Sequence, residues 1–243
     1  MTTLSTHDVR AYLVGGAVRD RIRGIPSHDW DFAVEARDYD HMDRWIQDLG
    51  FRVFVRTPKT FTIRARCEDS VSFAGIQMEH QTYDFVLCRK DGVYTDGRRP
   101  DSVTAGTLYD DLARRDFTCN AIALAEDGTY VDPHNGQKAI EEKVLRLVGG
   151  RERLVEDGLR VIRALRFYVT TGFTFDAKLR VALRSDEAAE ALSKVSANRI
   201  RDELNKMLKH SLFDSIDVLA EFPDVIEIIE DKGVWLKATS ETR

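Results

Sequence analysis

Apolar and polar positions follow two different rhythms along this chain, and the change falls near residue 148. Before it, short apolar runs bounded by turn residues predict strands at Ala11–Val14, Asp29–Val34, Phe51–Val55, Phe61–Arg66 and Tyr83–Cys88. Among them, Tyr39–Leu49 carries Met42, Trp45, Ile46 and Leu49 at helical spacing, and Asp20–Arg23 continues a short helix that Gly24 and Pro26 stop. Asp91-Gly92 is a turn signal with a short return at Val93-Tyr94, and Asp127-Gly128 turns into Tyr130–Val131. Gly97–Thr107 is rich in breakers and predicts a loop leading into Leu108–Leu124. Beyond residue 148 the strand signals vanish. Glu156–Val169 places Leu159, Ile162, Leu165 and Val169 at helical steps, and Ser196 stands as an N-cap before Ile200, Leu204, Met207 and Leu208. Strands in succession after one helix argue for a mixed sheet. The expected fold is therefore α+β, with residues 1–148 built on the sheet and 149–243 all helical.

Composition narrows the partners. The chain has 243 residues, with 36 Lys and Arg against 41 Asp and Glu, a net charge of −5. That balance excludes a broadly basic nucleic-acid coat, so any RNA contact must come from local arginine clusters. Met1–Arg10 is polar and no apolar run could cross a bilayer, so neither a signal peptide nor a membrane partner is expected. Cys67, Cys88 and Cys119 match no zinc spacing and read as thiols in a reducing, cytoplasmic setting. The histidines are scattered, and His28 reads as a solvated loop residue.

The candidate chemistry begins at Leu13-Val14-Gly15-Gly16-Ala17-Val18-Arg19-Asp20, followed by Asp29-Trp30-Asp31. Gly15 and Gly16 have no Cβ, so their N–H groups can approach phosphate oxygens, and Arg19 adds a forked cation. On a strand, Asp29 and Asp31 point to the same face, and two carboxylates held together suggest a divalent metal. A lone Gly-Gly suits any turn and a lone Asp-x-Asp suits a solvated edge. Their order and spacing together point to a nucleoside triphosphate.

Further segments complete a pattern. These are Asp96-Gly97-Arg98-Arg99-Pro100-Asp101, then Asp111-Leu112-Ala113-Arg114-Arg115-Asp116-Phe117-Thr118-Cys119-Asn120-Ala121, and Asp132-Pro133-His134-Asn135-Gly136. Glu156-Asp157-Gly158-Leu159-Arg160-Val161-Ile162-Arg163-Ala164-Leu165-Arg166-Phe167 and the weaker Ser196–Leu208 follow. With the opening stretch, they resemble the tRNA nucleotidyltransferase and poly(A) polymerase family, in its bacterial and eukaryotic class, within the polymerase-beta-like nucleotidyltransferase superfamily. The resemblance runs from about residue 11 to about residue 210.

The resemblance implies a nucleotidyltransferase head with helices on one side of its sheet, followed by a helical neck and part of a body. It implies that Asp29 and Asp31 hold Mg²⁺ and that Asp84 is a third catalytic carboxylate, although Asp84 also suits a surface strand. Gly15, Gly16 and Arg19 would bind phosphate, while Arg115 and Asp116 would contact nucleotide and ribose. On a helix Asn120 would share a face with Asp116, and the pair also suits a capping network. Asp157, Arg160 and Arg163 step by three along a predicted helix, with Arg166 continuing the row; by spacing alone they are a charged face with weak ion pairs. In the family, the aspartate and first arginine read the base edge of the incoming nucleotide, and the other arginines would face the triphosphate.

The implied activity is template-independent, Mg²⁺-dependent addition of C and A from CTP and ATP to a tRNA 3′ end. The same motifs suit a poly(A) polymerase or an enzyme adding only the C's or only the A. They also suit a catalytically idle regulator that binds nucleotide or RNA, although every charged group the chemistry needs is present. Gly158 departs from the usual proline or alanine and should weaken its helical turn by up to about 1 kcal/mol. Asn198 stands where a glutamate is usual, leaving Asn198 and Arg199 without assigned roles. Residues 211–231 carry seven acids and no Lys or Arg, a poor RNA surface. The chain is expected either to be a minimal head-and-neck enzyme or to take its RNA grip from a second copy or a partner.

Overall fold

The computed structural model describes residues 4–6, 8–27, 29–68, 71–78, 80–91 and 103–234. His28, the Val93-Tyr94 return and the segment Asp96–Asp101 lie outside them. The chain divides into two compact units, 1–142 and 143–243; the sequence reading set this division at 148/149.

The first unit opens with β1 (Arg10–Val14), α1 (Gly16–Ile22), β2 (Trp30–Glu35), α2 (Tyr39–Asp48), β3 (Phe51–Thr57) and β4 (Thr62–Cys67). It continues through β5 (Val71–Phe73), β6 (Ile76–Met78), β7 (Thr82–Leu87), β8 (Arg89–Asp91), β9 (Val103–Ala105) and α3 (Leu108–Ala113). β10 (Ala123–Leu124), β11 (Tyr130–Val131) and α4 (Gly136–Glu141) close it. Seven strands form one sheet in the order β11-β10-β1-β2-β7-β4-β3. Only β2 and β7 pair in parallel in it, so the sheet is mixed, as expected.

Alternation along the strands sorts their side chains. Ile63, Ala65 and Cys67 of β4 are buried, while Arg64 and Arg66 between them are exposed. On the core face, Phe32 stacks on Phe85 at 5.4 Å, Phe73 meets Phe32 edge-on at 5.0 Å, and Trp45 of α2 meets Phe85 edge-on at 5.8 Å. Each such ring, taken fully out of water, contributes roughly 2–3 kcal/mol. Asp38 caps α2 by accepting from the His41 N–H at 2.7 Å, and Thr107 with Asp110 forms a reciprocal capping box on α3.

Three local features go beyond the predicted elements. β5 and β6 form a hairpin, with three residues in each strand, too short for a periodicity to register. The loop predicted over Gly97–Thr107 contains β9, which pairs with β8. Leu108–Leu124 is not one element: α3 ends at Ala113, and a 3₁₀ turn over Thr118–Asn120 follows.

The second unit runs β12 (Val144–Leu145), α5 (Glu152–Glu156), α6 (Leu159–Thr171), β13 (Thr174–Phe175), α7 (Ala177–Leu183) and α8 (Asp186–Ser193). It ends with α9 (Ala197–His210), α10 (Leu212–Ala220) and α11 (Pro223–Asp231). It is helical apart from the short parallel pair β12–β13. Of the helix predicted over Glu156–Val169, residues 159–169 lie in α6, while Glu156 ends the preceding α5. Asp157 is extended (φ −144°, ψ 98°) and separates α5 from α6, whose N-cap is Gly158. Ser196 does precede α9, but its side chain makes no capping hydrogen bond.

Candidate functional site

In the first unit, Asp31 stands at the centre. Asp29 lies one residue before β2, and Asp31, inside it, pairs with Val14 of β1 on one side and with Asp84 of β7 on the other. The strand register thus brings Asp84 beside the Asp-x-Asp pair. Arg64 of β4 is opposite Asp84 and grips it with a fork: Nε donates to Oδ1 at 2.6 Å and Nη2 to Oδ2 at 2.7 Å. Asp29, Trp30, Asp31, Arg64, Gln81, Thr82 and Asp84 line a cleft of about 660 Å³.

Asp31 is exposed to the cleft, yet desolvation by the protein packed around it, then the like charges of Asp84 and Asp29, hold its carboxyl above the usual carboxylate range, against the pull of Arg115 and Arg64. Such a surplus of negative potential suits a divalent cation. Among the described residues, no group of three or more His, Cys, Asp or Glu is gathered to hold a metal. Both Asp84 oxygens are engaged by Arg64, which leaves Asp29 and Asp31 as the donor pair that fits.

Gly15 and Arg115 meet beside Asp31. Gly15 has φ +72° and ψ −136°, a conformation that side chains rarely adopt. A Cβ built on it would lie 3.3 Å from Arg115 Nη1 and 3.7 Å from Asp31 Oδ2. Gly16 begins α1, which carries Arg19. Arg19 Nη1 donates to Asn120 Oδ1 at 2.8 Å, while its Nε and Nη2 bind Asp20. Asn120 Nδ2 donates to Asp116 Oδ1 at 3.1 Å. Asp116 and Asn120 therefore do meet, but through the 3₁₀ turn rather than along a helix face.

Arg115 is oriented by Asp111, a residue the sequence reading quoted without a role. Asp111 is buried and pairs with both Arg114 and Arg115, the latter through Nη2 at 2.8 Å. Burial alone would raise its pKa, but the two guanidiniums outweigh burial and hold the carboxyl below its ordinary value. The i+3 and i+4 spacing was the available signal. Asp132, from the Asp-Pro-His-Asn-Gly motif, accepts from the N–H groups of Gly136 at 2.6 Å and Gln137 at 2.9 Å, so it caps α4. The three cysteines are buried thiols; burial lifts Cys119 to about 12 and Cys88 further.

In the second unit, the charged row is held by two partner elements. Asp157 Oδ1 accepts from Leu159 N–H at 3.2 Å, and its Oδ2 meets Arg199 of α9 at 3.4 Å. Arg160 Nη1 donates to the Arg153 carbonyl at 2.8 Å and lies 3.4 Å from Glu156. Arg163 and Arg166 both meet Glu203 of α9, at 3.9 and 2.5 Å, and both guanidiniums lie over the Phe167 ring. Glu203 is only 4% exposed, and the sequence reading missed it. Its signal was an acid within the apolar face of Ile200, Leu204 and Met207. Gly158 is where α6 presses on α8: a Cβ there would fall 2.1 Å from the Ala191 carbonyl oxygen. The glycine is required by that approach and is not a weak point inside a helix.

Comparison with known proteins follows this division. Residues 11–146 match the family described as Poly A polymerase head domain, and residues 172–222 match the region described as probable RNA and SrmB-binding site of polymerase A. The CCA-adding enzyme of Geobacillus thermodenitrificans (strain NG80-2) is 36% identical over 99% of this chain and 56% of its own length. A solved CCA-adding enzyme of Bacillus stearothermophilus in complex with CTP superposes with a TM-score of 0.73 at 31% identity, covering 89% of this chain and 49% of that one. A tRNA nucleotidyltransferase complexed with a primer tRNA and an incoming ATP analogue gives a TM-score of 0.73 at 27% identity, over 91% of this chain and 60% of that one. The chain thus spans about half the length of the curated relatives it matches.

Proposed function

The chain belongs to the poly(A) polymerase head-domain family, and from that premise we propose that it is a template-independent RNA nucleotidyltransferase adding C and A from CTP and ATP to a tRNA 3′ end. The observation that carries the reading is the meeting of Asp29, Asp31 and Asp84 in one cleft, with Gly15 and Arg115 against Asp31. Relatives named as CCA-adding enzymes support C and A as the products over A alone.

Asp29 and Asp31 would hold the divalent metal, Mg²⁺ in this reading. When bound, it would lower the pKa of the RNA 3′-hydroxyl and neutralise the triphosphate. Gly15 and Gly16 leave the phosphates room, and Arg19 and Arg115 would meet them with forked cations oriented by Asn120, Asp20 and Asp111. Asp116 would act on the ribose side of the nucleotide.

Base choice falls to Asp157 and Arg160. A carboxylate acceptor and a guanidinium donor, each fixed by neighbours, can match the exposed edge of cytosine and, with a tilt, that of adenine. Arg199 and Glu156 supply that fixity. Arg163 and Arg166 have Glu203 as a counter-charge, so their pull on a triphosphate would be tempered. No helix among the described residues is long and apolar enough to cross a membrane, and the setting we infer is cytoplasmic. Either a second copy or a partner would add to the RNA grip.

The test is incubation of a tRNA lacking its CCA end with each labelled triphosphate and Mg²⁺. Incorporation that disappears in Asp31→Ala supports the reading. No incorporation, or incorporation indifferent to Asp31→Ala, rejects it.

A further inference from the structure

A two-pronged contact in the cleft joins Asp84 to a residue outside every motif. Arg64 and Asp84 face one another across antiparallel β4 and β7, and the guanidinium fork takes both carboxylate oxygens at 2.6 and 2.7 Å. Arg64 is half exposed, so it is not there to fill a core. Asp84 is the in-register neighbour of Asp31 and lines the same cleft as Asp29. Any metal bound by the aspartate pair would therefore compete with Arg64 for Asp84. A planar fork makes two parallel bonds to a carboxylate, which an ammonium cannot reproduce.

We propose that Arg64 is a positioning residue that holds Asp84 out of the metal site, so that the nucleotide-free chain binds its divalent cation through Asp29 and Asp31 alone. The proposal rests on the metal reading given under the proposed function. Arg64 occupies Asp84, keeps a third negative charge from joining the pair, and thereby keeps cation affinity low until metal arrives together with its triphosphate.

The test is Mn²⁺ binding to the nucleotide-free full chain, followed through the electron paramagnetic resonance signal of free Mn²⁺. Arg64→Lys keeps the charge but loses the fork, and it should tighten Mn²⁺ binding by roughly tenfold, the size expected for directly coupled neighbours. This gain should vanish when Arg64→Lys is combined with Asp84→Asn, and Asp84→Asn alone should leave affinity within about twofold. Unchanged affinity in Arg64→Lys, a gain that survives Asp84→Asn, or a large loss in Asp84→Asn alone each overturns the proposal. Mn²⁺ binding left unchanged by Asp31→Asn would instead overturn the metal reading, and this proposal with it.

Discussion

Asp31 and Asp84 stand opposite one another in a parallel strand pair, the one parallel pairing within the seven-stranded sheet of the described residues. Partial desolvation, then the like charge of Asp84, keep the Asp31 carboxyl above its usual range although it is exposed to the cleft. The repulsion lies at the place where the proposed chemistry needs a cation. That relationship gives the first prediction.

Asp31→Asn should abolish nucleotide incorporation without destabilising the metal-free protein. The folded chain raises the Asp31 pKa from 3.8, so it binds this proton more readily than the unfolded chain does. The stability contribution is full below 3.8 and is lost as pH rises through the folded value. An asparagine carries no such proton and has no such loss. The melting temperature of the variant should therefore match or exceed that of wild type at neutral pH, with the difference shrinking as the pH is lowered toward 3.8. A melting temperature well below wild type at neutral pH would contradict the account.

Gly158→Ala separates two opposed expectations. Taken as an interior helix position, residue 158 would favour alanine by up to about 1 kcal/mol; as the N-cap of α6 it favours glycine. The Ala191 carbonyl oxygen, 2.1 Å from the new Cβ, cannot yield without moving backbone. Overpacking of this kind costs about 1–3 kcal/mol, so steric conflict wins. The urea midpoint should fall, and a rise would show that α6 and α8 shift apart freely.

Glu203→Ala should be among the more damaging single changes in the second unit. It leaves Arg163 and Arg166 without their buried counter-charge. Breaking a fully buried pair from one side costs about 3–5 kcal/mol; with Arg163 and Arg166 partly exposed, the loss should fall between that figure and the value of an exposed pair. Denaturant unfolding of the full chain reads this directly, and a loss under about 1 kcal/mol, the size of an exposed pair, would contradict it.

Arg199→Ala should do the reverse, changing selectivity more than stability. The Asp157–Arg199 pair is about one-third exposed on both sides and separated by 3.4 Å, so its loss costs under about 1 kcal/mol. If Asp157 reads the base, freeing it should blur the preference between CTP and ATP at a given primer end. Competition between the two triphosphates on one tRNA measures the ratio, and an unchanged ratio would count against Asp157 as a reader.

The chain's patterns showed some of this and hid the rest for definite reasons. Strand positions, the helix bearing Trp45 and the Gly-Gly and Asp-x-Asp elements were legible because each is a local periodicity or motif. Arg64 was not. Its role depends on which strand lies beside β7, and strand order is a long-range property. The Asp157 break was not legible because the apolar stripe begins only at Leu159, and the close approach of α8 to Gly158 beside it is tertiary. Asp116 and Asn120 were correctly paired from a wrong premise, since a 3₁₀ turn brings together what a helix would also have aligned. Asp111 and Glu203 did carry local signals, an acid four residues before an arginine and an acid inside an apolar stripe.

The central claim is that these carboxylates and arginines build a defined RNA end without a template. Sequencing the 3′ ends of a tRNA lacking CCA, after incubation with CTP, ATP and Mg²⁺ together, tests it most directly. The account predicts ends completed to C-C-A and not extended further, with none formed by Asp31→Ala. Unextended ends, runs of A alone, or the same products from Asp31→Ala would contradict it.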